Sequence, residues 1–176
     1  MSQLTDGLPN RFALAEEFGR LGLRHGAEIG VFKGQYSIVL CMNIPKIRLI
    51  CVDTWDVSRN HRDPVKMERY YRETIDKLAH YDVTIMRMTS LEAAHHVADG
   101  SLDFVYIDAL HDEKNVGDDL VAWVPKVRIG GVVSGHDWGH PGVTAALHKF
   151  LNGTEVLTTK PSEQDFYPSW YYVKHA

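Results

Sequence analysis

Two kinds of hydrophobic patterning alternate along this chain: short apolar runs, and longer stretches with apolar residues three or four apart. Residues 11–23 carry Phe12, Leu14, Ala15, Phe18, Leu21 and Leu23 at mostly helical spacing, which predicts a helix. A strand-like run at 27–31 follows, punctuated by Gly30 and Gly34, and then a helix over 35–43 that Asn43 and Pro45 should stop. Residues 48–53 (RLICVD) read as a second buried strand. Asp63 and Pro64 then supply an N-cap and a first helical residue for a long helix to about His80. Further strands are predicted at 83–87, 102–108 and 131–134, with helices at 90–97, 112–124 and about 143–151 between and after them. Two closing strands, near 154–159 and 169–174, are joined by KPSEQDFYPS, which has no helical period and can link antiparallel neighbours. Such alternation predicts an α/β fold: a doubly wound, Rossmann-like sheet of seven strands, parallel except for one strand of a C-terminal hairpin.

A length of 176 residues suits one domain spanning 1–176, and no repeat or linker divides it. Hydrophobic residues at 44% and charged residues at 24% are ordinary for a globular protein. The net charge of −4 supplies no basic excess for nucleic acid. No apolar run has the roughly 18–20 residues that cross a bilayer, and the opening MSQLTDGLPNRF has no secretion-signal pattern. Cys41 and Cys51 lack metal spacing and read as buried, reduced thiols, so the expectation is a cytoplasmic protein.

In open parallel sheets ligands bind beyond the carboxyl ends of the strands, and this rule sorts the candidate residues. The first strand ends in Glu28-Ile-Gly30-Val-Phe-Lys-Gly34, and Ser37 lies in the helix that follows. Glycines there let backbone approach a ligand, but Glu28 stands where a dinucleotide motif has its first glycine. A carboxylate would repel a pyrophosphate and attract a cationic ligand. Asp53, followed by Thr54, is placed to bond a ribose diol, while Thr89 and Ser90 fall where an adenine edge would lie. Taken singly, Glu28 could be a surface acid and Asp53 a helix cap. Their succession at strand ends favours a site.

The stretches Glu28–Gly34 and Asp53-Thr54-Trp55 resemble class I methyltransferases, as do Asp103-Phe-Val-Tyr-Ile-Asp108-Ala-Leu-His111 and residues 123–138. The last two blocks resemble the metal-dependent O-methyltransferases acting on catechols and caffeoyl-CoA, and more closely those acting on macrolide sugars, whose fourth strand ends in D-x-x-H. The resemblance covers about residues 26–140. It implies S-adenosylmethionine as cofactor, with Glu28, Gly30 and Gly34 around its methionine part and Asp53 on its ribose. It also implies metal ligands at Asp108 and Asp137, His111 as catalytic base beside Asp108, and a small-molecule hydroxyl as acceptor. Trp138 departs from the catechol pattern, which has Asn or Asp there; His136 or water would then complete the metal site, or no metal binds. About 27 residues precede the glycine motif, too few for the usual lid, which leaves the acceptor site open or completed by a second subunit in a homodimer.

Two strand-end carboxylates repel each other unless a proton or a cation intervenes, and a hard divalent ion such as Mg²⁺ suits oxygen ligands. The alternative is that Asp137 caps a turn and Asp108 contacts the cofactor. An imidazole titrates near neutrality; carboxylate neighbours hold its proton and a cation releases it. His136 and His140 have zinc-helix spacing, but Gly139 and Pro141 argue against a helix and no H-E-x-x-H glutamate is present. Glu16-Glu17, Asp118-Asp119 and His95-His96 read as solvated faces. A cofactor sensor without catalysis and a nucleotide-dependent oxidoreductase are the rival functions. The Asp108–His111–Asp137 set counts against the first and Glu28 against the second.

Overall fold

A computed structural model describes residues 4–56, 63–151, 153–161 and 166–175. Its strands are β1 (His25–Ile29), β2 (Arg48–Asp53), β3 (Val83–Arg87), β4 (Leu102–Ile107), β5 (Val127–Gly135), β6 (Leu157–Thr158) and β7 (Trp170–Val173). The helices are α1 (Arg11–Arg20), α2 (Gln35–Asn43), α3 (Pro64–Leu78), α4 (Ser90–Ala94), α5 (Glu113–Trp123) and α6 (Pro141–Leu151). One seven-stranded sheet results, in the order β3-β2-β1-β4-β5-β7-β6. β1 to β5 run parallel, and β7 is antiparallel to both β5 and β6. This is the α/β architecture expected from the alternation. Residues 57–62, in the loop before α3, and 162–165, in the hairpin connection, lie outside the described residues.

Helix boundaries follow local chemistry. Asn10 caps α1 through Phe12 N and Ala13 N, Asp63 caps α3 ahead of Pro64, and Asp112 caps α5 through Asn115 N. Strand alternation then divides the core. Phe104 and Tyr106 face α1, α2 and α3 in a cluster with Leu14, Phe18 and Leu40, whereas Val105 and Ile107 face α4, α5 and α6 with Leu120 and Trp123. The aromatic tail serves both sides, since Tyr171 joins the first cluster and Trp170 and Tyr172 the second. Cys41 and Cys51 are both buried and free.

Three expectations need correction. β5 is nine residues long rather than four, because Gly130 (φ +75°) and Gly131 form an irregularity that the strand absorbs instead of a break. Glu17 is 6% exposed, not solvated; Arg20 and Thr5 hold its carboxylate. Asp119 is likewise buried, at 5% exposure. Among the described residues no helix is long and apolar enough to cross a membrane.

Candidate active site

The order of the sheet reverses at β1, which lies between β2 and β4, and a crevice opens there beyond the strand ends. It is a cavity of about 490 Å³ whose strand-end wall includes Gly30, Asp53, Thr54, Thr89, Ser90 and Asp108. Its apolar surfaces are Ile29, Val52, Met88, Leu91 and Leu110, and α5 contributes Asn115, Asp118 and Asp119. Six of the residues singled out from the sequence therefore meet around one space.

Close backbone approach shapes this crevice. Gly30 has φ +93°, and a Cβ there would lie 2.1 Å from the carbonyl oxygen of Asp108. Asp53 fixes the loop after β1: its Oδ2 accepts from Val31 N at 3.0 Å and Phe32 N at 2.8 Å, and its Oδ1 accepts from Trp55 N at 2.8 Å. Trp55 Nε1 donates to Phe32 O at 2.7 Å, closing the turn. A carboxylate has about four acceptor sites, so Asp53 is both a backbone clamp and a remaining acceptor on the cavity wall. Thr89 is the N-cap of α4 in a reciprocal capping box with Glu92.

Glu28, Gly34 and Ser37 fall outside the cavity lining. Glu28 sits beneath α2, 2% exposed, where the Ser37 hydroxyl donates to its Oε2. Burial, only partly offset by that hydrogen bond, pushes its carboxyl up to about 8, so at neutral pH it is mostly the uncharged acid. The electrostatic attraction expected of Glu28 is therefore not available from a bare carboxylate. Gly34, at φ +63°, forms the left-handed N-cap of α2 and lies against Thr74.

Past the end of β4 the cavity meets a second group. Asp108, His111 and Asp137 bring one ligand atom each within 4.8 Å of one another. His111 Nε2 lies 2.9 Å from Asp137 Oδ2 and 3.8 Å from Asp108 Oδ1. The carboxylates of Asp108 and Asp137 raise the imidazole to about 10, well above the neutral range expected of a histidine. Burial opposes the charge on Asp137, but His111 and His136 outweigh it and hold its carboxyl below the usual range. Asp137 adopts φ +61°, a strained conformation for a residue other than glycine. His136 is not part of the three-residue group: its Nδ1 turns to Asp137 Oδ1 at 3.2 Å. Arg11 approaches from α1, with Nη1 3.7 Å from Asp108 Oδ2. His140 precedes α6 on a loop, as the flanking glycine and proline imply, and its ring lies 5.6 Å from that of His111.

A family model described as a methyltransferase domain matches residues 27–138, most of the chain. The chain belongs to the methyltransferase family. Among solved structures, this methyltransferase is similar to the O-methyltransferase TomG from Streptomyces achromogenes, involved in tomaymycin synthesis and solved with SAM. Identity is 20% over 94% of this chain and 80% of that one, with a TM-score of 0.71. Cofactor-bound Rv0187 from MTB is 17% identical over 94% and 79% of the two chains, TM-score 0.69. A protein from Klebsiella pneumoniae assigned as an O-methyltransferase is 16% identical over 99% and 84%, TM-score 0.73. At these identities the likeness is one of fold. No curated protein matches the sequence.

The two carboxylates offer the methyltransferase hard oxygen donors, which suit Mg²⁺ or a similar divalent ion in kind, with the His111 imidazole beside them. The imidazolium together with the Arg11 guanidinium beside Asp108 already balances the two carboxylates, so the group is also self-consistent without such an ion. Asp119, read from the sequence with Asp118 as a solvated face, is a wall residue, as are Asp118 and Asn115. The signal for Asp119 was present: with Val116, Leu120 and Trp123 it completes the i, i+3, i+4, i+7 stripe of α5.

Proposed function

We propose that this methyltransferase binds S-adenosylmethionine in the strand-end cavity and transfers its methyl group to a hydroxyl of a small molecule. The observation that carries the reading is the position of Asp108, which belongs both to the cavity wall and to the cluster with His111 and Asp137. A cofactor in the cavity would thus present its sulfonium next to a constellation able to handle an acceptor proton. Asp53 would take the ribose hydroxyls on the acceptor capacity its backbone contacts leave free, and Thr54, Thr89 and Ser90 would flank the base. Glu28 and Ser37 would act from below, by supporting the turn at Gly30 and Gly34 rather than by touching the ligand.

Methyl transfer forms a C–O bond as the C–S bond breaks; the products are the methyl ether, S-adenosylhomocysteine and the proton of the hydroxyl. His111, half exposed above Asp108, would receive that proton within hydrogen-bond reach of the acceptor oxygen. Held by two carboxylates the imidazole is already protonated at pH 7, so its use as a base requires that their hold be relaxed. A divalent cation on Asp108 and Asp137 would do this, and would lower the pKa of an acceptor hydroxyl. Tritium transfer from methyl-labelled cofactor across a panel of sugars, catechols and hydroxy acids tests the reading. Labelled ether from any of them supports it. Tight binding of NAD with no affinity for S-adenosylhomocysteine would refute it.

A further inference from the structure

Asp119 projects from α5 into the wall of the cavity, yet only 5% of the residue is exposed. A buried carboxylate needs donors, and among the described residues the Ser90 hydroxyl is the one side-chain neighbour that favours its charge. That hydroxyl is held from behind: Trp123 Nε1 donates to Ser90 Oγ at 2.8 Å, which leaves the hydroxyl hydrogen able to turn toward Asp119. Trp123 is itself fully buried, so the relay is anchored in the core. Burial still pushes the Asp119 carboxyl up to about 6 against the Ser90 hydrogen bond. The protein thus presents a buried acceptor, short of donors, on the α5 side of the cavity, beside Asn115 and Asp118 and with the apolar Met88, Leu91 and Leu110 in the same lining.

A flat, apolar-faced ligand with a hydrogen-bond donor on its edge complements this arrangement. On the cofactor reading above, the ribose hydroxyls of S-adenosylmethionine would face Asp53 and its methionine amine would lie toward the Asp108 end. The donor that remains is the exocyclic amine of the purine. Resting on the cofactor reading above, we propose that Asp119 accepts a hydrogen bond from this amine, with Ser90 and Trp123 holding it in place, and so selects a 6-amino purine over a 6-oxo purine.

Replacing the amine by a carbonyl would set two acceptors against each other and strand a buried carboxylate, a mismatch that binding sites reject strongly. Calorimetry with S-adenosylhomocysteine and S-inosylhomocysteine reads the effect directly. Wild-type protein should bind the 6-amino ligand at least tenfold more tightly. In Asp119→Asn, whose amide can face either edge, the ratio should fall to within about threefold. Asp119→Ala should weaken the 6-amino ligand about tenfold and leave the 6-oxo ligand nearly unchanged. A wild-type ratio near one, or a ratio preserved in both variants, overturns the role of Asp119 while leaving the cofactor reading intact. Failure of the wild type to bind either ligand overturns both. A merely structural role would lower both affinities together and keep their ratio, which likewise refutes the selection.

Discussion

At Gly30 the chain turns where the backbone after β4 leaves space only for hydrogen. A methyl there would meet the carbonyl of Asp108 at 2.1 Å, in a backbone conformation that side chains rarely adopt. Gly30→Ala should therefore cost about 1–3 kcal/mol from overpacking alone, measured by urea denaturation, and displace Asp108. Glu28 carries a pH signature. Its folded pKa of about 8 lies above its ordinary 4.5, so the folded state holds the proton more firmly. The resulting stability is complete below about 4.5 and is lost as pH rises through 8. Denaturation midpoints at pH 5 and pH 8.5 should differ less in Glu28→Gln than in wild type. His111→Ala should lower kcat roughly 10²–10⁴-fold with cofactor affinity nearly intact; wild-type turnover in that variant would locate the proton acceptor elsewhere.

Helices α1 and α5 share a device. Each places an acid at the i+3 position of its apolar stripe: Glu17 after Leu14, and Asp119 after Val116. Their environments differ in sign. Hydrogen bonds from Arg20 outweigh burial and lower the Glu17 carboxyl, so its charge stabilises the fold above the ordinary carboxylate range. Asp119 is raised to about 6, and stability is lost as pH climbs from 3.8 through that value. At pH 7.5 Glu17→Gln should melt at a lower temperature than wild type. Asp119→Asn should melt higher, by something on the order of 1 kcal/mol or about 2–4 °C. Pairs of adjacent acids look solvated in sequence because charge suggests water, while the helical period says that one member of each pair turns inward. The period was the better guide. Element identity was legible for the same reason, since caps such as Asp63-Pro64 and apolar spacing are local. Gly130-Gly131 misled because a glycine pair marks a bulge as readily as a break.

Across the whole molecule, the sheet class and the residues at strand ends could be read, but the strand order could not, because parallel neighbours are brought together by contacts far apart in sequence. Which strand-end residues face the cavity depends on that order. Asp53, Thr89 and Asp108 meet only because β2 and β4 flank β1, and Glu28 is turned under α2 by the alternation that points Ala27 and Ile29 to the other face. The cluster at Asp108, His111 and Asp137 draws on the ends of β4 and β5. If it holds a divalent ion, turnover should fall in excess EDTA and return with Mg²⁺; unchanged turnover would leave the imidazolium as its resident cation.

β7 follows β6 in the chain yet lies between β6 and β5. During synthesis, then, β6 emerges with no partner, and the hydrogen-bonding edge of β5 stays open until Trp170–Val173 has left the ribosome. Pairing of β7 is an insertion that closes two ladders at once and sets Trp170 against Gly135. An open edge of Val132 and Val133 is an invitation to other chains. Slow translation or truncation before Trp170 should therefore appear as aggregation rather than as a soluble protein with reduced activity.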